Sequence, residues 1–240
     1  MYVLTIDQRG SSTDVDRVPE LLAGLGELCP GAGFERSVGD EVQGVLDRPE
    51  EAVDVALHAL RNGRWYVGIG VGPVDLPLPA SPREGSGRAF VAARHAVERA
   101  KAASSHVPLA VAAGTVARGA AAGKGGTPGD GPPGTLECAN AEAVLRLIGR
   151  LVQDRTTAQW KVVDAVRGLR DGQPGTHGMQ KVAARQLGIT EQSVSRSLLR
   201  SGWQEEWAAR PAAEMLLALA HSLTAGTDNA ARQAPSKGDR

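Results

Sequence analysis

Gln180-Lys-Val-Ala-Ala-Arg-Gln-Leu-Gly-Ile-Thr-Glu-Gln-Ser-Val-Ser-Arg-Ser-Leu-Leu-Arg200 is the stretch that decides how the C-terminal half folds. Its spacing predicts a helix-turn-helix. Val182, Ala183 and Leu187 fall on one face of a short first helix. Gly188 follows, where a sharp turn wants a residue that tolerates positive φ. Thr190 stands where an N-cap belongs, with Ser193 three positions on. Val194 and Leu198 are four apart on the second helix, so both face inward, and Ala184 supplies the small side chain that crossing helices need. Gln192, Ser193, Ser195, Arg196 and Arg200 are left outward, with Gln180 at the start of the motif. These residue types hydrogen-bond base edges and phosphates, so the partner expected is double-stranded DNA.

The flanks fit a small helical domain. Residues 157–169 predict a preceding helix with Trp160, Val163, Val166 and Leu169 inward, and a loop is expected over 171–178. Trp203 and Trp207 are expected to close the small core, and Pro211 to open a final helix over 212–223 that is apolar nearly all round. From residue 224 to 240 the composition predicts a disordered tail.

The net charge of zero hides a division. Residues 1–117 hold 11 Lys/Arg against 15 Asp/Glu, a net of −4, whereas residues 150–210 hold 10 against 6, a net of +4. A basic segment that coincides with the motif suits phosphate attraction, and an acidic front half does not. Two cysteines, Cys29 and Cys138, lack paired-ligand spacing, which argues against a zinc finger or a disulfide scaffold. The start lacks a basic, apolar leader and no run is long enough to span a membrane, so a cytoplasmic protein is expected. Residues 118–138, rich in Gly and Pro, read as a flexible loop whose Gly-Lys lacks the spacing of a phosphate loop. A connecting helix is expected over 139–152, with Ala143, Val144, Leu147, Ile148 and Leu151 aligned.

The front domain, residues 1–117, predicts alternating elements. A strand over 2–6 ends in Asp7, and a helix runs from near Asp14 to Leu28. A hairpin turns at Gly39-Asp40-Glu41, and Pro49 opens a helix through Leu60. Residues 65–74 give a glycine-thinned strand, 87–102 an alanine-rich helix and 107–112 a last strand. The fold class is therefore α+β. The front has a ferredoxin-like arrangement, with helices on one face of a mostly antiparallel sheet, and the C-terminal domain is all-α. In that layout Asp7 and Asp40 meet, and two carboxylates at a strand end suit Mg²⁺ bound with a nucleotide.

Asp7 with its Gly-Ser turn, Gly39-Asp40-Glu41, Gly68-Ile-Gly-Val-Gly-Pro-Val74 and Gly87-Arg-Ala-Phe-Val-Ala-Ala-Arg94 resemble, in order, the blocks of class III nucleotidyl cyclases. The whole chain resembles the SatD family, which joins such a domain to a C-terminal helix-turn-helix. The resemblance implies that Asp7 and Asp40 are metal aspartates and that Arg94 stabilises a triphosphate. The asparagine expected four residues before that arginine is replaced by Phe90, and the base-selecting lysine has no clear counterpart, Glu35 and Arg36 standing nearest. Positioning supplies much of the rate in phosphoryl chemistry, so a degenerate, non-catalytic domain is expected. Each residue also has a plain structural use: Asp40 shapes a turn, Asp7 caps a loop, and Arg94 pairs with Glu98 one helical turn on.

Three functions compete. The first is a transcriptional regulator with a sensing or dimerising front domain. The second is an active cyclase targeted to DNA, and the third a protein-interaction scaffold. A homodimer is expected, through the front domain or through the C-terminal helix carrying Met215, Leu216, Leu217 and Leu219.

Overall fold

In the computed structural model, residues 1–103, 105–115, 131–170 and 176–233 are described. Most of the loop expected over 118–138, part of that over 171–178 and the last residues of the tail lie outside them.

Residues 2–8 alternate in side-chain direction and form β1 (Tyr2–Gln8), buried on both faces. Four further strands follow: β2 (Glu35–Arg36), β3 (Glu41–Leu46), β4 (Trp65–Val71) and β5 (Leu109–Ala113). They form one mixed sheet in the order β2-β3-β1-β4-β5, in which β4 and β5 are the one neighbouring pair that runs parallel. The helices among the described residues are α1 (Val18–Leu28), α2 (Pro49–Leu60), α3 (Arg88–Ala102), α4 (Thr135–Gln153), α5 (Thr157–Arg170), α6 (Thr176–Leu187), α7 (Glu191–Arg200) and α8 (Trp203–Gln233). The class is mixed α+β, as expected.

Side-chain parity sorts the helices. Tyr2, Leu4 and Ile6 share a core with Val67, Ile69, Leu109 and Val111, and α1, α2, α4 and α8 cover it. Val3 faces the other way, against Ala89, Phe90 and Ala93 of α3. The expectation of helices on one face is thus corrected: α3 lies alone on the opposite side. The cause is the pair Gly68 and Gly70, which face α3; a Cβ on either would run into its backbone. Only a bare strand and an alanine-rich helix approach that closely. The connections β3-α2-β4 and β4-α3-β5 both join parallel strands and step in the same direction across the sheet. With their helices on opposite faces, the two crossovers have opposite hands, against the strong right-handed preference.

The connecting helix does not simply pass between domains. Cys138, Ala141, Leu145, Ile148 and Val152 of α4 belong to the front core. Its polar side closes the open edge of β5: Val111 N donates to Glu142 Oε2 at 2.9 Å, and Arg146 Nε donates to the Leu109 carbonyl at 2.9 Å. A strand edge is thereby blocked by side chains. Residues 135–138, expected as loop, are already helical.

The C-terminal end also departs from expectation. Pro211 does not open a helix; it lies inside α8. A proline there removes one backbone donor. The helix is nevertheless held on both sides: Trp203 packs in the small helical core, while Ala213, Leu217 and Ala220 pack in the front core. Helix α8 also continues past residue 223 to Gln233, with Thr224 buried, so the tail from 224 is helical for ten residues. The small core joins Val162, Val163 and Val166 to Ala183, Ala184, Val194 and Leu198, with Trp203 and Trp207 edge to face at 5.2 Å. Val182, expected inward, is exposed; Ala183, Ala184 and Leu187 make the inner face instead.

Charged groups tie this unit to the front. Arg155 and Glu206 pair at 2.6 Å with side chains only 1% and 2% exposed. Glu206 also binds Arg210, which reaches Asp54 of α2, and Arg167 of α5 meets Asp54 at 2.9 Å. Beside them Arg61 holds both oxygens of Asp164, at 2.9 and 2.7 Å. No helix among the described residues is long and apolar enough to cross a membrane.

Candidate nucleic-acid interface and carboxylate cluster

The α6–α7 corner is built by local chemistry. Gly188 has φ +64°, and the Ile189 amide donates to the Ala184 carbonyl at 3.0 Å while the Gly188 amide reaches Arg185 O at 3.4 Å. This pair of bonds closes the end of α6 on its own free carbonyls. Thr190 then caps α7, its Oγ1 accepting from the Ser193 amide at 3.2 Å. The Thr190 and Ser193 hydroxyls also lie 2.9 Å apart, so Ser193 contributes to the cap as well as to the surface.

Val194 and Leu198 turn inward, which leaves Gln192, Ser193, Ser195, Arg196 and Arg200 exposed on α7, with Gln180 half-buried on α6. Arg196 and Arg200 make no ion pair among the described residues, nor do Lys161 of α5 or Lys181 and Arg185 of α6. The last three were not singled out in the sequence, although Lys181 and Arg185 are one helical turn apart. Leu199 is also exposed, at 68%, and Ile189 at 40%. Among the described residues the surface combines unpaired cations, amide and hydroxyl groups and two apolar side chains, with Glu191 its one acid. That composition suits phosphate oxygens, base edges and thymine methyl groups.

The second cluster lies at the far end of β1, on the α3 face. Asp7 stands opposite Glu41 in the sheet, and Asp40 occupies the tight turn one residue before, beside Gly39 at φ +60°. Asp40 is near enough to Asp7 for its charge to be felt there. Burial holds the Asp7 carboxyl above its usual range, opposed by Lys101, with Asp40 and Glu98 adding to the rise. Glu41 is likewise raised, by burial first, while Lys101 and Arg94 oppose the shift. Lys101 is the member that sequence reading missed; its Nζ lies 2.9 Å from Asp7 Oδ2 and 2.9 Å from Glu98 Oε1. Arg94 is exposed and does not pair with Glu98, whose partner is Lys101.

The cluster gathers no protein cage for a resident Mg²⁺ among the described residues. An ammonium group already neutralises Asp7, and among the described residues no group of three or more His, Cys, Asp or Glu is gathered to hold a metal. Phe90, at the position where the resemblance implies asparagine, is 2% exposed and packs on Val3 and Val74. It is a core residue, with no polar group to offer a ribose. Comparison with protein-family models, with curated proteins and with solved structures gives no match to this chain.

Proposed function

We propose that the chain is a DNA-binding transcriptional regulator: a helix-turn-helix, α6–α7, carried by an α+β front unit that does not act as a cyclase. The observation that carries the reading is the basic face of α6 and α7, whose cations make no ion pair among the described residues, opposite the inward Val194 and Leu198. Helix α7 would lie in the major groove, with Arg196 paired to guanine and Gln192 to adenine. Lys181 and Arg185 on α6 would meet the phosphates as the first helix crosses the backbone. The strand order β2-β3-β1-β4, with α1 and α2 on one face, supports a ferredoxin-like front resembling the cyclase domain. Lys101 against Asp7 and Phe90 in the core favour a structural, sensing or dimerising role for it.

The test is selection of duplexes by the full-length chain from a random pool, followed by binding titrations at low salt. A selected sequence should emerge, and Arg196→Ala should lose about 1–3 kcal/mol at one base position while relaxing preference there. Absence of duplex binding at about 50 mM salt, where phosphate contacts are strong, sinks the reading.

A further inference from the structure

We infer that the outward faces of α4 and α8 form the seam of a two-fold homodimer, helix pair against helix pair. The inference deepens the DNA-binding reading and rests on it only for the use made of two copies; the seam itself is argued from the surface.

The two helices are antiparallel neighbours. A Cβ on Gly134, before α4, would meet Thr224 and Ala220 of α8, and one on Gly202, before α8, would meet Leu151 of α4. Each turns one face into the front core and leaves the other outside. Between residues 136 and 147 of α4 and 208 and 226 of α8 the exposed positions carry no charge, in a chain where 22% of residues are charged; Arg150 follows at the end of the α4 stretch. Every exposed position of α8 between residues 208 and 226 is Ala, Pro, Met, Leu, Ser or Gly. Every exposed position of α4 between 136 and 147 is Leu, Ala or Asn. Leu147 is 73% exposed, Met215 64%, Leu219 46% and Leu136 43%. A surface helix ordinarily presents charged groups to water, so a long uncharged face marks an interaction site.

The spacing names the occupant. Exposed positions 136, 140, 143 and 147 on α4, and 208, 211, 215, 219, 222 and 226 on α8, step by threes and fours. That is the period of helices that pack at a shallow angle. Leu136, Leu147, Met215 and Leu219 stand out among smaller Ala, Ser and Gly, giving knobs and hollows that a facing helix pair can fill. A second copy meets this face without charge repulsion, whereas an acidic or basic partner finds no counter-charge. A lipid surface finds no free cation either, because the flanking Arg146 and Arg150 are engaged by Glu142 and Asp154. Asn140, on the second turn of α4, supplies a polar pairing that fixes register between copies. Helix α8 follows α7 after Ser201 and Gly202, so a seam along α8 sets the spacing of the two recognition helices, expected at about 34 Å or a multiple of it.

Sedimentation equilibrium of the full chain without DNA, from about 1 to 100 μM, tests the seam. The mass expected is twice 25.0 kDa. Leu147→Glu and Met215→Glu should each raise the dimer dissociation constant roughly a hundredfold or more, because an unpaired carboxylate would be buried there. Asn140→Lys, on a water-exposed position of the single chain, gives the same readout if either of the others fails to fold. A wild-type chain that remains single across the range overturns the inference and assigns the face to another protein or to lipid. A dimer that all three variants leave unchanged also overturns it and moves the interface to the front unit. Loss of DNA binding with the seam behaving as expected would count against the regulatory reading alone.

Discussion

The ammonium of Lys101 lies 2.9 Å from Asp7, joining the last residues of α3 to the end of the central strand. The contact neutralises a half-buried carboxylate between Glu41 and Asp40. Lys101→Met leaves Asp7 without its counter-charge, so its pKa rises further. A carboxyl raised on folding favours the folded state below its unfolded pKa, and that benefit disappears as pH rises. The variant should therefore lose about 1–3 kcal/mol at pH 7, and the deficit should shrink toward pH 4. Urea denaturation across that range gives the answer; an equal deficit at both ends would mean that Lys101 acts by packing.

The buried trio Arg155, Glu206 and Arg210 predicts a sharper effect. Glu206→Gln strands two guanidinium groups inside the junction, and removing one partner of a buried pair costs about 3–5 kcal/mol. The expected result is a large fall in the denaturation midpoint. A loss below about 1 kcal/mol would show that Arg155 and Arg210 find water or other acceptors.

His58 lies half-buried between α1 and the junction. Burial, then the charges of Arg61 and Arg167, hold its pKa below the ordinary imidazole value. The unfolded chain therefore takes up the proton first as pH falls. The stability involved is present above about pH 6.5 and is lost as pH drops through the folded value. His58→Gln should flatten the stability profile between pH 7 and 5. His221, lowered mainly by burial, leaves a residual slope of the same sign. Parallel profiles for wild type and His58→Gln would rule the imidazole out as the source.

Two substitutions separate the corner's backbone from its surface. Gly188→Ala meets no atom within 4 Å, so its cost is the left-handed backbone alone, about 1–2 kcal/mol. Thr190→Ala removes the cap of α7, at about 1 kcal/mol. Both should speed amide hydrogen exchange in α6 and α7 and leave the amides of β1 and β4 unaffected. Faster exchange throughout would mean that the corner and the front open together.

Sequence legibility followed distance along the chain. Gly188 and Thr190 were readable because the turn and the cap are settled within six residues. The bounds of α2, Pro49–Leu60, were readable for the same reason. Lys101 was not, because it meets Asp7 across 94 residues and carries no motif. Nor did the sequence disclose that Gly68 and Gly70 admit α3 to the opposite face, since glycine in a strand has several uses. Pro211 misled because proline is a helix-start signal whose local preference was overridden by packing at both ends of α8. The candidate site divides likewise: Arg196 and Gln192 were visible from period alone, whereas the partners of Asp7 and the burial of Phe90 needed the sheet.

Helix α8 begins in the small helical core and, after Pro211, becomes part of the front core. The α6–α7 corner is consequently not a portable module. A fragment cut after residue 210 would leave Ala213, Leu217 and Ala220 behind and open the front unit to water. Transplanting the corner onto a foreign carrier would likewise sever the helix that joins its core to the front core. An engineered hybrid would have to exchange single side chains on the outer face of α7, keeping the host chain whole.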